Sequence, residues 1–353
     1  MELRPAIETL EGEFLKTAAE FALHSLAQVQ FSEPVFELVR GGERVEDSRL
    51  HTTVAGLNFE NPLMVGAGWD KKGWAIDGLY RLGFAGTEVG SVLVHPQKGN
   101  PRPRLWYSHG AGLNRLGFNS KGMDAVEGYL AAQDRLGLIG ISLGKNKRTP
   151  DNQAPWAHAE VAKHLIKFAD YFVINVASPN TPGLRNLLKK EPLTAIVQAV
   201  KEEIADTPLF IKTTVDLALE DLDAVLQICV DENTGIIDTN TTIEDEIKSM
   251  YGWYGEMGGV SGDVFDYRVK ATERMKYITR VTRGTGVSRI GVGAINDTET
   301  ALERIQAGAE ALQVVTGIRQ RKGKIARAIN LGLLEKIDKD GVRNIEEYVG
   351  VAA

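Results

Sequence analysis

The chain has 353 residues, 43% of them hydrophobic, and a net charge of −6, which is enough apolar content for a large core at a length single α/β barrels commonly reach. Its acidic balance argues against a nucleic-acid surface, which needs clustered Lys and Arg, and no run approaches the ~18 apolar residues of a membrane span. The single cysteine, Cys229, excludes a disulfide framework or a cysteine-based metal site and, in the apolar stretch 224–230, reads as a packed core thiol.

At the start, Met1-Glu2-Leu3-Arg4 leads no basic segment into an apolar core, and Glu8, Glu11 and Glu13 make the adjoining stretch acidic. Neither a secretory signal nor a mitochondrial presequence is expected there, and the expected location is cytoplasmic. Ile7, Leu10, Phe14, Ala18, Phe21, Ala22, Leu26 and Val29 recur at helical spacing. This amphipathic stripe predicts a helix packed on the rest of the molecule. Its polar face carries mostly Glu, so any membrane contact would rest on apolar burial rather than on attraction to anionic lipid. Next, Leu57-Asn58-Phe59-Glu60-Asn61-Pro62 joins two short runs and predicts a hairpin at the base of a barrel.

Beyond residue 60, short β-type runs at 63–66, 86–89, 138–142, 171–175, 209–212, 235–239, 289–292 and 311–314 alternate with helical stretches such as 193–205, 217–230, 269–283, 298–307 and 324–337. Alternation implies parallel pairing, and eight units predict a closed (β/α)8 TIM barrel. An open doubly wound sheet would show a Gly-rich dinucleotide fingerprint after its first strand, and Gly66-Ala67-Gly68-Trp69-Asp70-Lys71 does not complete one. The expected division is an N-terminal helical extension over 1–45 and a barrel over 46–353.

Polar residues gather where strands end. The first strand runs into Gly66–Lys71, the second into Gly90-Ser91, the fourth into Asn175, the fifth into Lys212, the sixth into Thr239-Asn240-Thr241-Thr242, the seventh into Gly293-Ala294 and the eighth into Thr316-Gly317. Loops after the last two strands are a common barrel phosphate site. The most informative stretch is Asn175-Val176-Ala177-Ser178-Pro179-Asn180-Thr181-Pro182-Gly183, which sets amides and a hydroxyl on a loop able to cover a small polar substrate. Taken alone it favours the reading of an ordinary turn.

Taken together, these segments, with Gly99-Asn100-Pro101-Arg102-Pro103-Arg104, Asn114-Arg115-Leu116-Gly117-Phe118-Asn119, Leu143-Gly144-Lys145-Asn146-Lys147 and Gly258-Gly259-Val260-Ser261-Gly262, occur in an order and spacing that is highly specific. From the N-terminal helical segment through Asn344 the chain resembles dihydroorotate dehydrogenase of class 2, the quinone-linked branch that uses FMN. The resemblance implies oxidation of dihydroorotate to orotate in pyrimidine synthesis, with quinone as electron acceptor and a peripheral position on the cytoplasmic face of the inner membrane. It implies Ser178 as the base, with Phe118 and Thr181 on the proton path; class 1 relatives carry a cysteine in place of that serine. It implies substrate contacts at Lys71, Asn114, Arg115, Gly117, Phe118, Asn175, Asn180, Asn240 and Thr241. It implies FMN contacts at Ala67, Gly68, Lys71, Gly90, Ser91, Asn114, Ser142, Asn175, Lys212, Thr239, Ser261, Gly262, Gly293, Ala294, Val314, Val315 and Thr316.

Some positions depart from the family pattern. Ser142 stands for a usual asparagine near the flavin, Ala294 for a usual glycine in the phosphate loop, and Leu116 for a frequent aromatic. Tyr107, Val315 and Arg319 differ from the residues familiar at the quinone end, where an arginine and a tyrosine are common. The competing readings are a diverged FMN barrel oxidoreductase with another substrate or acceptor, and a non-catalytic barrel kept for partner binding. A hydroxyacid oxidase would call for a histidine base, and none of the six histidines falls at a predicted strand end with suitable partners.

Overall fold

The computed structural model describes residues 4–28 and 32–353, with side chains from residue 16 onward. In chain order the strands are β1 (Thr52–Val54), β2 (Leu57–Phe59), β3 (Leu63–Val65), β4 (Gly86–Val92), β5 (Leu105–Ser108), β6 (Ala111–Asn114), β7 (Leu138–Leu143), β8 (Tyr171–Ile174), β9 (Leu209–Thr214), β10 (Gly235–Asn240), β11 (Gly259–Gly262), β12 (Arg289–Val292) and β13 (Ala311–Val314). Strands β3, β4, β7, β8, β9, β10, β12 and β13 pair in parallel and close into a barrel. They are the eight β-type runs expected from sequence. The runs are mostly apolar because they are buried on both faces, inward by their neighbours and outward by helices.

Inside the barrel, Met64, Tyr171, Val173, Phe210, Ile237 and Ile290 fill the lower layers. Space for the largest comes from a missing side chain. A Cβ on Gly140 would stand 2.1 Å from the Tyr171 ring. The bottom is plugged by the β1–β2 hairpin, whose Val54 and Phe59 join that cluster. Its turn is Ala55-Gly56, with φ of 50° and 79°. The hairpin therefore lies one step earlier than the sequence suggested, since Leu57–Phe59 is its second strand and Asn61-Pro62 leads into β3.

Outside lie α3 (Ile76–Arg81), α4 (Met123–Leu130), α5 (Ala154–Leu165), α6 (Lys190–Ile204), α7 (Leu219–Asp231), α8 (Asp245–Met250), α9 (Phe265–Val281), α10 (Thr298–Gln306), α11 (Thr316–Arg321) and α12 (Ile325–Asp340). Cys229 of α7 is buried, and burial pushes its thiol up to about 12, the inert thiol expected there. A three-stranded antiparallel sheet, ordered β11-β6-β5, is inserted at the carboxyl end of the barrel, and no pattern in the sequence announces it.

Two helices precede the barrel, α1 (Arg4–Ala27) and α2 (Glu33–Arg40). α1 does lie on the barrel, but not by the whole expected stripe. Glu20, Leu23 and Ala27 are buried and Leu26 is half-buried, whereas Ala18, Phe21 and Ala22 are exposed. The side chains of Ile7, Leu10 and Phe14, and all of Val29, lie outside the described residues. Close docking depends on Gly78 in α3, where a Cβ would meet the Leu23 backbone at 2.8 Å. Glu20 is bridged to Lys16 at 2.5 Å, which satisfies the carboxylate that docking buries. No helix among the described residues is long and apolar enough to cross a membrane.

Candidate active site

A cavity of about 730 Å³ opens at the carboxyl ends of the barrel strands and continues beneath α1 and α2. Strand ends supply most of its wall. Gly66 and Asn175 extend β3 and β8 by one more backbone bond each, Gly66 N to Val314 O at 3.0 Å and Asn175 N to Leu143 O at 3.1 Å. The ladder that holds the barrel thus also fixes the first residue of each functional loop.

Asn114, Asn175, Ser178, Asn180, Asn240 and Thr241 converge on this cavity, with Lys71, Gly117 and Phe118. Asn175 donates from Nδ2 to Ser91 Oγ at 2.8 Å, and Ser91 Oγ lies 2.8 Å from Ser142 Oγ. Asn180 donates from Nδ2 to Asn114 Oδ1 at 3.1 Å, so the loop after β8 is tied to β6 of the inserted sheet. The Ser178 hydroxyl oxygen accepts from the Asn180 backbone amide at 3.3 Å. Around the other side stand Ala67, Gly68, Gly90, Ser91, Lys212, Thr239, Ser261, Gly262, Gly293, Ala294, Val314, Val315 and Thr316. Ser261 Oγ and Thr316 Oγ1 are 2.9 Å apart.

Three expected residues lie off the cavity wall. Arg115 turns outward, donating to Pro103 O and pairing with Glu256 at 3.2 Å while stacked over Trp106. Ser142 is fully buried behind Ser91. Thr181 is buried just behind the loop surface.

The wall suits a polar ligand with a flat body and an oxygen-rich end. Asn175 Oδ1 and both side-chain atoms of Asn296 are buried without a protein partner while lining the cavity, and such groups are costly unless a ligand or water meets them. At Gly262 (φ 103°) and Gly293 (φ 93°) a Cβ would collide at 2.4 and 2.2 Å with Gly110 O and the Tyr267 hydroxyl. Only bare backbone fits there, leaving the surface open to a closely apposed group. Beneath α1 and α2 the lining turns apolar, with Ala19, Ala22, Leu23, Leu26 and Val39. Arg319 sits over the ring of Tyr107 at 4.0 Å, both facing this branch, and burial raises the Tyr107 phenol.

Residues 49–337 match the family model described as dihydroorotate dehydrogenase. The chain belongs to the dihydroorotate dehydrogenase family, in its class 2 branch. A dihydroorotate dehydrogenase (quinone) of Acaryochloris marina is 40% identical over 87% of this chain and 85% of its own length. One from Anaeromyxobacter dehalogenans is 34% identical over 99% and 95% respectively. The crystal structure of the Eimeria tenella enzyme in complex with ferulenol superposes with a TM-score of 0.86 at 30% identity, covering 97% of this chain and 96% of that one.

In this chain, four residues that sequence reasoning passed over organise the site. Gln313 of β13 and Glu88 of β4 sit inside the barrel beside Lys212. Their signal was available, since each is a polar residue in the middle of a fully buried strand. Arg185 binds three loops together, donating to Ala177 O at 3.0 Å, Asp216 at 3.0 Å, Thr214 Oγ1 at 3.1 Å and Thr241 O at 3.4 Å. Tyr267 donates to Asn240 O at 3.1 Å from a fully buried phenol that burial raises. No local pattern in the sequence marks these last two, because their partners are remote in the chain.

Proposed function

We propose that the protein oxidises dihydroorotate to orotate, with FMN as the resident flavin and a quinone collecting the electrons, and that Ser178 is the base. When bound, FMN supplies the hydride acceptor for C6 of the substrate, which the protein's own side chains cannot provide. Asn114, Asn175, Asn180 and Asn240 then hold the substrate, because a primary amide offers donor and acceptor side by side to a ring of alternating N–H and C=O groups. Lys71 lies on the same wall and is suited to stabilise the substrate carboxylate. Ser178 faces them and takes the proton from C5. A serine hydroxyl is a poor base by itself, so the half-closed, nearly dry setting (Ser178 8% and Asn175 6% exposed) is part of its activation. Phe118, 6% exposed beside it, screens the site from water.

The observation that carries this reading is the convergence of these amides and Ser178 on one cavity that bare glycine backbone and Lys212 also line. The apolar branch under α1 and α2 supports quinone access, and the exposed apolar residues of those helices support peripheral contact with a membrane surface. In the same reading residues 1–45 serve the acceptor and 46–353 the flavin chemistry.

The test begins with colour. Purified protein should be yellow, and anaerobic dihydroorotate should bleach it, with soluble quinone restoring the colour faster than fumarate or NAD. Ser178→Ala should slow the bleaching by roughly 10²–10⁴-fold, the usual worth of a positioned base. A colourless protein unable to take up FMN, or bleaching at a normal rate in the alanine variant, would overturn the assignment.

A further inference from the structure

Directly below the cavity floor lies a charged group that the proposed chemistry does not use. Glu88, on β4, is wholly buried inside the barrel. Its Oε1 stands 3.4 Å from Lys212 Nζ of β9, and its Oε2 accepts from Gln313 Nε2 of β13. Gln313 in turn offers its Oε1 to Lys212 Nζ at 3.2 Å, and its Nε2 lies 3.5 Å from the Tyr171 hydroxyl. Lys212 and Gln313 reach the cavity, whereas Glu88 does not. The carboxylate is therefore a hidden third member of a closed triangle whose two other corners, themselves buried, line the cavity.

We infer that Glu88 is a positioning residue that sets how strongly the site prefers the reduced over the oxidised flavin, acting through Lys212 and Gln313. The inference rests on FMN occupying this cavity, as proposed above. Hydride transfer brings two electrons and one proton to the ring, so one negative charge accumulates unless a second proton joins it. Lys212 is the cation set into the floor to meet that charge, in surroundings dry enough for a charge to act strongly. Glu88 offsets this cation from behind and fixes its direction, which moderates the pull on the reduced ring. It also orients Gln313, whose Nε2 is engaged by the carboxylate and whose Oε1 is thereby turned to Lys212. A neutral isostere at position 88 would leave the lysine uncompensated. The site would then favour the reduced form more strongly and surrender electrons to the acceptor less readily.

The test is the two-electron midpoint potential of the holoenzyme, measured by anaerobic dye titration. Glu88→Gln should shift the oxidised-to-reduced equilibrium at least tenfold toward reduced, about 30 mV more positive for a two-electron couple. Glu88→Asp, which keeps the charge, should return most of the way to the unaltered value. Glu88→Ala, which removes the carboxylate without replacing it, should shift the potential in the same positive direction and decides the matter if Glu88→Gln does not fold. A yellow Glu88→Gln enzyme with unchanged or lowered potential overturns the inference while leaving the flavin reading intact. If the unaltered protein binds no FMN, the flavin reading fails, and this inference with it.

Discussion

Ala294 holds a φ of 52°, a left-handed conformation, at a position where the family usually has glycine. Such a conformation costs an L-residue roughly 1–2 kcal/mol. Against this, alanine loses about 0.4–1 kcal/mol less chain entropy than glycine on folding, and its methyl is buried in the cluster that includes Tyr267 and Trp253, worth about 0.8 kcal/mol. The terms nearly cancel, so the fold tolerates the departure. Ser142 is accommodated differently, its shorter side chain meeting Ser91 rather than reaching the cavity. A third residue, His158, gives the protein a pH dependence unrelated to the active site. Its Nδ1–H donates to Ala154 O at 2.7 Å, Nε2 has no partner, and burial lowers the imidazole from 6.5 to about 4. Between those two values the unfolded chain binds more protons than the folded one, so stability rises with pH across that window. The contribution is complete above the unfolded value and is lost as the pH falls toward the folded one. The full gap corresponds to about 3 kcal/mol. Thermal melting between pH 7 and pH 4.5 should therefore fall more steeply for the unaltered protein than for His158→Leu, even though the variant lacks the bond to Ala154. Parallel curves would show that the acid sensitivity originates elsewhere.

At the scale of elements, the loop after β8 is held by a side chain from the turn beyond it. Arg185 reaches back to Ala177 O, next to Ser178, and across to Thr241 O and Asp216. It lines no part of the cavity. Arg185→Lys keeps the charge but not the planar fork that serves several acceptors together. The expected result is a fall of about tenfold in the rate of flavin reduction by dihydroorotate, since small misplacements of reacting groups are costly, with FMN affinity within about threefold of normal. A variant that melts earlier yet reduces flavin at the normal rate would mean that the bracing serves stability alone. The sequence announced the loop but not its brace, for a physical reason. Barrel strands are legible because burial on both faces demands continuous apolar runs, as in Tyr171–Ile174. Loop residues such as Asn175 and Ser178 are legible because they break such a run at its end. Arg185 looks like any surface arginine until the remote Asp216 and Thr241 are brought to it. The sheet of β5, β6 and β11 escaped for a related reason. Ala111–Asn114 and Gly259–Gly262 are short, and Gly112, Gly259 and Gly262 weaken any strand pattern.

For the whole molecule, the two N-terminal helices both wall the apolar branch of the cavity and leave apolar side chains in solvent. Leu38 is 80% exposed and Phe21 56%, with Val35 and Val39 beside Leu38 on α2. Periodicity indicated the helix of α1, but a helix with apolar residues on more than one side does not declare which side meets the barrel. Here Leu23 and Ala27 are buried against the barrel, Ala18 and Phe21 stand in solvent, and Ala22 is exposed where it lines the apolar branch of the cavity. The net charge of −6 gives no long-range attraction to anionic lipid, so any membrane contact must come from burial. Burying one leucine is worth about 1.5–3 kcal/mol, a factor of roughly 10 to 150 in partitioning. Leu38→Glu should accordingly reduce co-sedimentation with neutral phosphatidylcholine vesicles at least tenfold. The effect should be indifferent to salt, because no screened charge attraction is lost. Flavin bleaching by dihydroorotate should be unchanged, since Leu38 lies outside the cavity, while turnover with a vesicle-embedded quinone should fall in step with binding. Equal vesicle binding by both proteins, or binding abolished by salt, would show that α2 is not the membrane-facing element.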